Sequence, residues 1–458
     1  MPKALQSALL SLRDLLITYA PFLALAAAVL FVAYRMLDPT PPKRVVLATG
    51  TAQGAYAEFG KRYAEILAGY GITVELRETQ GAAENLALLR DPNSGVDIAF
   101  VQGGADQDAD RRRGSDGGDD KNSGLVSLGS MFYEPVWFFY REEGARRLSH
   151  DKRRTLDSFG QLAGWRINIG APGSGVPVLM NKLIDANKLD RSTFTLLEQS
   201  QTPAVVDFLE GRLDALVFAS APESQMVQML LLTPGVHLFD FTQAEAYSRR
   251  FPFMSPVTLP RGVVDLAGDL PPKNIHLIAP TATLVAKAQT HPALMQLFVQ
   301  AAKTIHGDAG WFQHKGDFPN PANSELPLAK EAQRFYQTGT PWLQRYLPFW
   351  LANLIDRMWP VLVSIIAVLI PLSRLLPPLY EMRVRSRIFR WYGRLREIEE
   401  TLAGPQRNGQ ALLKELNELD SKVEQIPVPL SHADELYALR SHIELVRQKL
   451  VAGGSAPA

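Results

Sequence analysis

The chain has 458 residues, a net charge of +1 and 46% hydrophobic residues. This length suits two or three packed units, and the near-neutral charge gives no reason to expect a nucleic-acid partner. The sequence contains no cysteine, which excludes disulfide bonds, a thiol nucleophile and a cysteine metal site. The compartment must therefore be inferred from the membrane segments.

The first predicted element is a membrane span at residues 15–37, after a short N-terminal segment of residues 1–14. The run has the ~20 apolar residues needed to cross a bilayer, and Tyr19 and Tyr34 lie near its ends. A signal peptide would need a shorter apolar core and small residues before the cleavage site, whereas residues 34–37 are bulky. We therefore expect a span that is not cleaved.

Apolar strands that end in turns of small residues dominate residues 44–104. Strands and the helices that follow them are expected at residues 45–48, 56–68, 73–78, 83–90 and 96–101. Such alternation is typical of a parallel sheet with right-handed crossovers, and open α/β folds bind ligands at the carboxyl edge of that sheet. These turns predict one lobe of a binding domain.

The candidate ligand-binding residues of this lobe lie in or beside the turns. They are Thr51, Gly54, Ala55, Tyr56, Gln80, Gly81, Ala82 and Gln102. Backbone N–H groups at a helix start favour a negative ligand oxygen, hydroxyls add donors, and the Gln102 amide offers a donor and an acceptor. A second interpretation stays open, because small residues also let a strand and a helix pack closely, and Glu84 and Asn85 also suit a helix start.

Two features separate this lobe from the next. Residues 105–124 are rich in Asp, Arg and Gly, so we expect a solvated loop, with a partner contact as the alternative. The apolar run at residues 126–140 predicts a strand that crosses to a second lobe. Within it, Glu134 either accepts a hydrogen bond from a ligand ammonium or pairs with an arginine at the hinge, and we favour the hinge.

The second lobe is predicted at about residues 140–265. Its strands are expected at residues 165–169, 194–198, 214–219 and 236–239. Residues 274–280 are expected to cross back, and helices at residues 283–305 to complete lobe one, which then comprises about residues 43–135 and 275–345. Two connections between the lobes make a hinge.

Two turns of the second lobe are candidates for ligand contact. Ser174, Gly175 and Val176 begin a helix after the strand at residues 165–169, and a helix N-terminus can hold a carboxylate. The other turn follows the strand at residues 214–219 and would meet the ligand when the lobes close, unless it is an ordinary strand-to-helix turn. It consists of Ser220, Ala221 and Pro222.

A second membrane span is predicted at residues 356–376, with a buried core helix as the alternative. Seven arginines lie between Arg374 and Arg396, and an excess of lysine and arginine marks the cytoplasmic side. Two spans put both ends of the chain on one side of the membrane. We therefore expect an inner-membrane protein of bacteria with cytoplasmic termini and with residues 38–345 in the periplasm or outside the cell.

The tail, residues 377–458, predicts three amphipathic helices. Apolar residues recur at alternating steps of three and four in each, beginning at Ile388, Leu412 and Leu436. A folded-back bundle, a coiled coil with other chains and a passive hairpin below the membrane all fit this coiled-coil-like pattern. Copies of the chain would associate into an oligomer, or a cytoplasmic partner would bind, through this tail.

Taken together, the motifs resemble those of one family of solute receptors. The resemblance rests on the order and spacing of four segments, at residues 49–56, 78–86, 97–102 and 170–175. In these features residues 43–335 resemble the TAXI group of TRAP transporter receptors, which are relatives of type II periplasmic binding proteins. The resemblance implies a two-lobed α/β receptor for a small, usually carboxylate-bearing solute, with a membrane permease as its partner.

Signals for an enzyme are absent from the sequence. There is no Gly-x-Ser-x-Gly elbow at Ser174, no Walker sequence after Gly54, and no His-Glu-x-x-His spacing among the eight histidines. We expect no metal and no cofactor. The predicted function is a membrane-anchored receptor for an anionic or zwitterionic solute, such as a small carboxylate or an amino acid. The alternative is a transmembrane sensor or scaffold that passes lobe closure to the cytoplasmic helices.

Overall fold

The computed structural model describes residues 3–37, 40–106, 124–148, 155–322, 324–404, 409–426, 428 and 432–453. Most of the polar stretch expected to be a loop, residues 105–124, lies outside the described residues. The chain divides into two compact units, one of residues 40–353 and one that combines residues 1–39 with residues 354–458. The α/β elements belong to the first of these, and the long helices to the second.

Helices and strands alternate through residues 40–353, as the sequence pattern predicts, and further helices precede and follow this unit. The helices are α1 (Lys3–Leu37), α2 (Ala55–Ala68), α3 (Ala82–Arg90), α4 (Glu142–Leu148), α5 (Val176–Ala186), α6 (Gln201–Leu209), α7 (Gln225–Leu231), α8 (Ala244–Arg250), α9 (Pro292–His306), α10 (Lys330–Thr338), α11 (Phe349–Ala403), α12 (Gly409–Glu424) and α13 (Ala433–Gly453). The strands are β1 (Arg44–Ala48), β2 (Thr73–Arg77), β3 (Ile98–Gln102), β4 (Leu125–Tyr133), β5 (Val136–Arg141), β6 (Arg166–Asn168), β7 (Thr195–Leu197), β8 (Ala215–Ala219), β9 (Val236–Leu238), β10 (Met254–Leu259) and β11 (Ile275–Lys287). The prediction of a mixed α/β fold is confirmed.

The strands form two sheets, which define lobe one and lobe two. The sheet of lobe one has the order β10-β11-β3-β1-β2, with β4 also paired to β11. Within it, β1 is parallel to β2 and β3, whereas β11 is antiparallel to β3. The sheet of lobe two has the order β7-β6-β8-β5-β9, with β6 parallel to β7 and β8. In each sheet a central parallel strand has its neighbours on both sides, so loops from three strands meet at one carboxyl edge.

Each lobe has its own hydrophobic core. In lobe one, Tyr63, Phe100 and Phe298 pack between the sheet and its helices, and Tyr63 stacks on Phe298 with ring centroids 5.4 Å apart. In lobe two, Trp137 and Trp165 are fully buried in one cluster of apolar side chains. Separate cores allow the lobes to move as rigid bodies about the segments that join them.

Two chain segments join the lobes. The first is the step from β4 to β5 at Glu134 and Pro135, where the predicted single strand at residues 126–140 is in fact two strands, because proline cannot donate the ladder hydrogen bond. The second is β11, whose first half pairs with β10 and whose second half pairs with β3 and β4. The segments contact each other, since the Glu134 N–H donates to the Pro280 carbonyl at 2.8 Å.

One expectation about lobe one is wrong. Helices were predicted over residues 283–305, but residues 283–287 continue strand β11 and the helix begins only at Pro292. Thr283 and Val285 are β-branched and pair with Val101 and Ala99 of β3, and both features favour a strand over a helix.

The unit with the long helices contains both predicted spans. The helical segments Tyr19–Leu37 and Phe349–Leu372 are long and apolar enough to cross a membrane, by length and composition. Helix α11 runs on to Ala403 and packs with α12 and α13 around one buried cluster. Its members include Ile388, Leu416 and Leu439, one from each helix. The amphipathic seams of the tail are therefore buried against each other, which is the folded-back bundle among the predicted alternatives.

Candidate functional site

A cavity of about 100 Å³ lies between the carboxyl edges of the two sheets. It is lined from both lobes, by Gly50, Thr51, Gly54, Ala55, Tyr56, Gln80, Gly81, Gln102, Glu134, Gly170, Ala171, Ser174, Val176, Gln201, Val217, Phe218, Ala219 and Ser220. Clefts at this edge of open parallel sheets are where ligands of α/β folds bind. We call this space the interlobe pocket.

A buried asparagine holds the lobe-one turns in place. The Asn85 side chain is fully buried and donates to the carbonyls of Thr49, which follows β1, and Phe100, which lies within β3. The Thr79 hydroxyl joins the same group at 2.7 Å from the Asn85 side-chain oxygen. Asn85 therefore does more than stabilise a helix start, because it links β3 to the residues that follow β1 and β2.

The start of helix α2 supplies donors to the pocket. Gly54 precedes it, and a Cβ at this position would lie 3.1 Å from the Thr51 hydroxyl and 3.2 Å from the Thr51 carbonyl, so the turn suits glycine. The N–H groups of Ala55 and Tyr56 have no acceptor among the described residues. Helix starts leave such groups free and carry partial positive charge, which favours an anion.

Glu134 reaches the pocket from the segment between the lobes. Its carboxyl is 3% exposed and accepts a hydrogen bond of 2.8 Å from the Tyr56 hydroxyl. Burial raises the pKa of Glu134 to about 8, and the bond from Tyr56 lowers it less than burial raises it. The arginine partner expected for this residue is not what the structure places beside it.

Lobe two repeats the same construction. The Asn168 side chain is fully buried and accepts a hydrogen bond of 2.8 Å from the Gln199 N–H, which ties the end of β6 to the end of β7. Gly170 then adopts φ +86, where a Cβ would lie 3.0 Å from the Ser174 hydroxyl oxygen. A glycine at this position lets the Ser174 side chain turn toward the pocket at the start of α5.

The two lobes touch across the cleft beside the pocket. The Gly173 carbonyl of lobe two accepts from the N–H groups of Ala83 and Glu84 at 3.0 and 3.1 Å, which are in the first turn of helix α3. Gly81 adopts φ +134 and lies so close to the loop before α5 that a Cβ would be 3.0 Å from the Ser174 Cα. The structure therefore shows the lobes in contact. Two N–H groups at the start of α3 already donate to a carbonyl of the other lobe.

Two side-chain atoms in the pocket lining are buried without a hydrogen-bond partner. They are the Gln102 side-chain oxygen and the Ser174 hydroxyl oxygen. Gln102 is 3% exposed and ends β3, whereas Ser174 belongs to lobe two. Buried polar atoms are nearly always paired in folded proteins, so two unsatisfied ones on residues that line one cavity mark that cavity as a candidate ligand site.

Most of the predicted site residues line the interlobe pocket. Ten of them do so, namely Thr51, Gly54, Ala55, Tyr56, Gln80, Gly81, Gln102, Ser174, Val176 and Ser220. Ala82, Gly175, Ala221 and Pro222 do not. Ala82 and Gly175 instead lie next to each other where the lobes meet, since a Cβ on Gly175 would lie 3.4 Å from the Ala82 Cβ. Ala221 is fully buried in the core cluster of lobe one, and Pro222 lies just beyond the strand end.

For Glu134 the sequence leaves two roles open, contact with a ligand ammonium and the hinge role that we favour. The remaining lining residues are not predicted from the sequence as ligand contacts. Gln201 opens helix α6 after β7, and nothing in its local pattern marks it. Gly170 and Ala171 lie within the motif that was recognised, and residues 217–219 are the last of β8.

The chemistry of the lining is specific. Among the described residues that line the pocket there is no lysine, arginine or histidine, and Glu134 is the one side chain able to carry charge near neutral pH. An anionic group must therefore be held by N–H groups and hydroxyls. No group of three or more histidine, aspartate or glutamate side chains within the described residues is placed to hold a metal ion.

Comparison with known proteins identifies the family. The NMT1-like family model matches residues 47–310, which is more than half of the chain. The chain belongs to the NMT1-like family. The match runs from the end of β1 to just beyond α9 and includes every lining residue of this NMT1-like protein named above. A search of curated proteins returns no match.

Solved structures similar to this NMT1-like chain include three proteins linked by name to solutes or transport. The alkanesulfonate-binding protein SsuA from Xanthomonas axonopodis pv. citri, bound to MOPS, is 13% identical over 58% of this chain and 73% of its own, with a TM-score of 0.36. The periplasmic aliphatic sulphonate binding protein SsuA from Escherichia coli is 13% identical over 71% and 83%, with a TM-score of 0.34. A putative L-cystine ABC transporter protein from Listeria monocytogenes is 13% identical over 58% and 90%, with a TM-score of 0.35.

Proposed function

We propose that this protein is a membrane-anchored, extracytoplasmic receptor that binds a small anionic or zwitterionic organic solute between its two lobes. The observation that carries the proposal is the interlobe pocket, in which donors and unpartnered polar atoms come from both lobes. A ligand that completes contacts from both sides stabilises the closed arrangement over an open one. Closure is then the signal that a partner recognises.

Several features support a receptor rather than an enzyme. The pocket lining contains one buried carboxyl, that of Glu134. Among the described residues, the Tyr56 phenol is the one acid, base or nucleophile that is hydrogen-bonded to this carboxyl. Burial and the Glu134 carboxyl raise the pKa of that phenol well above 10, so it acts as a hydrogen-bond donor. Such a lining binds and orients a solute.

We further propose that the receptor belongs to the TAXI group and serves a TRAP-type permease. This finer assignment rests on the motifs at residues 49–56, 78–86, 97–102 and 170–175, whose turns all lie at or beside the pocket. The two apolar helical segments support anchoring in a bacterial inner membrane, with the lobes in the periplasm and both termini in the cytoplasm.

One observation supports a second function. Helix α11 is continuous from the candidate span Phe349–Leu372 to Ala403, and its later part supplies Ile388, Leu395 and Ile398 to the buried three-helix cluster. A continuous helix transmits displacement along its axis. A sensor or scaffold would use this connection to pass a change at the membrane to the cytoplasmic bundle.

The receptor proposal is tested by melting the full-length protein in detergent micelles with a panel of carboxylates and amino acids. A solute at 100 times its dissociation constant stabilises the folded state by about 2.7 kcal/mol. For a unit of this size, about 2–4 °C of melting shift is expected per kcal/mol, so a true solute gives a shift on the order of 5–10 °C. A panel without any shift would contradict the proposal.

A pocket-filling variant and a matched control locate the effect. Ser174→Trp places a large ring at the start of α5, inside the pocket, and should abolish the melting shift without unfolding the protein. Gly54→Trp should do the same from lobe one. Glu245→Gln changes an exposed carboxylate of α8 outside the pocket lining and should keep the full shift.

A further inference from the structure

Glu134 is an acid in a place that has no basic partner. It is 3% exposed and accepts from the Tyr56 hydroxyl at 2.8 Å, which occupies one of about four lone-pair positions of a carboxylate. A hinge would not need an ionisable group at this point, since a glutamine would accept the same hydrogen bond. Burying a carboxyl without a counter-charge is costly, so its position in a ligand cavity indicates a role in binding.

The neighbours of Glu134 form an acceptor cluster on the lobe-one side of the pocket. Tyr56 stacks on Phe100 with ring centroids 4.9 Å apart, and this contact fixes the phenol that donates to Glu134. Gln102 also lines the pocket, and its side-chain oxygen is buried without a partner. Both groups can accept a hydrogen bond from a donor of the solute.

The donors lie in other parts of the lining. The N–H groups of Ala55 and Tyr56 open helix α2 without an acceptor among the described residues, and the Ser174 hydroxyl is buried without a partner at the start of α5. These groups suit a carboxylate. One small cavity therefore offers a place for negative charge and, separately, a buried acid.

We infer that the solute is a zwitterion that carries a protonated amino group, with Glu134 and the Gln102 side-chain oxygen accepting from its ammonium and the helix starts holding its carboxylate. This inference rests on the proposed receptor function and narrows the solute to the amino-acid class. A simple carboxylate would give the ionised form of Glu134 no cationic partner.

The assignment has a measurable consequence in protons. Burial raises the pKa of Glu134 to about 8, and Tyr56 is the one other titratable group that acts on it within the described part of the chain. At pH 7 about nine-tenths of Glu134 is then protonated before the solute binds, and an ammonium partner favours the ionised form. Binding should release nearly one proton per solute at pH 7 and close to none at pH 9.

The experiment is calorimetry of the full-length protein in detergent micelles, with matched pairs of an amino acid and its analogue without the amino group. The pairs are L-alanine with propionate, L-serine with 3-hydroxypropionate and L-aspartate with succinate. Titrations in buffers of different ionisation enthalpy count the protons released. We expect an amino acid to bind at least about tenfold more tightly than its analogue, because charge-assisted hydrogen bonds are lost with the amino group.

The matched variant is Glu134→Gln, which keeps an acceptor for Tyr56 and removes the charge. It should weaken amino-acid binding about ten- to hundredfold and abolish the proton release, whereas Glu245→Gln should change neither. Equal affinity of the wild-type protein for an amino acid and its analogue would overturn the inference and leave a receptor for a plain carboxylate. If no member of any pair binds, the proposed receptor function itself fails. The affinities of each pair for the wild-type protein decide the matter even if the variant does not fold.

Discussion

If the lobes close over the solute, the variant Gly81→Ala, which adds one methyl group, should strongly weaken solute binding. The new Cβ would lie 3.0 Å from the Ser174 Cα and 3.1 Å from its carbonyl oxygen, both backbone atoms that cannot rotate away. Ordinary contact begins at about 3.4 Å, so the lobes must separate by several tenths of an ångström. The two hydrogen bonds from Ala83 and Glu84 to the Gly173 carbonyl then lengthen or break.

The expected loss of affinity follows from those two bonds. Each contributes about 0.5–1.5 kcal/mol net, so losing both costs about 1–3 kcal/mol of the closed state. Because every 1.4 kcal/mol is a factor of ten, the dissociation constant of the solute should rise about 5- to 150-fold. Calorimetry of the full-length protein with a solute that shifts its melting temperature measures this directly.

A variant at a second glycine distinguishes the effect of backbone strain at Gly81 from the effect of the contact between the lobes. Gly71 also has a positive φ, +75, but a Cβ there would meet no atom within 4 Å. Gly71→Ala should therefore lower the melting temperature slightly and leave solute affinity unchanged. The reasoning is refuted if folded Gly81→Ala binds as tightly as the wild-type protein, or if Gly71→Ala loses as much affinity.

Three other regions give predictions of their own. A reporter fused after Ala458 should be active only in the cytoplasm and one inserted at Gly114 only outside it; activity on the opposite sides would reverse the proposed topology. Leu416→Ala should destabilise the three-helix bundle by about 2–5 kcal/mol, because Leu416 is fully buried there, and should not change solute affinity; a loss of affinity would argue against an independent tail. Burial lowers the pKa of His306 from 6.5 to about 3, so the unfolded state takes up a proton before the folded state does. Stability should fall by about 2 kcal/mol between pH 6.5 and 5, and a denaturation series showing the same slope in His306→Gln would contradict this assignment.

The fold was largely predictable from the sequence because its signals are local. The apolar runs that form β1, β2 and β3 each stop at a small-residue turn, and the strands fall within one or two residues of the expected positions. The exception, residues 283–287, shows the limit of local pattern. Short apolar runs suit a buried strand or a helix, and pairing with β3 and β4 decides the outcome.

The pocket was only partly predictable because its partners are distant in the chain. Tyr56 and Ser174 follow strands and could be placed at the sheet edge, but the bond from Tyr56 to Glu134 joins residues 78 positions apart. No spacing rule reveals that contact, so an arginine was the reasonable partner to expect. Ala82 and Gly175 do not line the cavity for a related reason, since they lie where the two lobes approach each other closely.

Solute-driven closure is tested most directly by a distance between the lobes. The chain has no cysteine, so Ala87→Cys and Asp185→Cys introduce unique labelling sites on exposed positions of α3 and α5. Double electron–electron resonance on the spin-labelled, full-length protein then reports the separation with and without a solute that raises its melting temperature. We expect a broader or longer distance distribution without solute, which narrows to one shorter, closed distance when the solute is added. An identical distribution in both states, at saturating solute, would contradict the claim that binding closes the lobes.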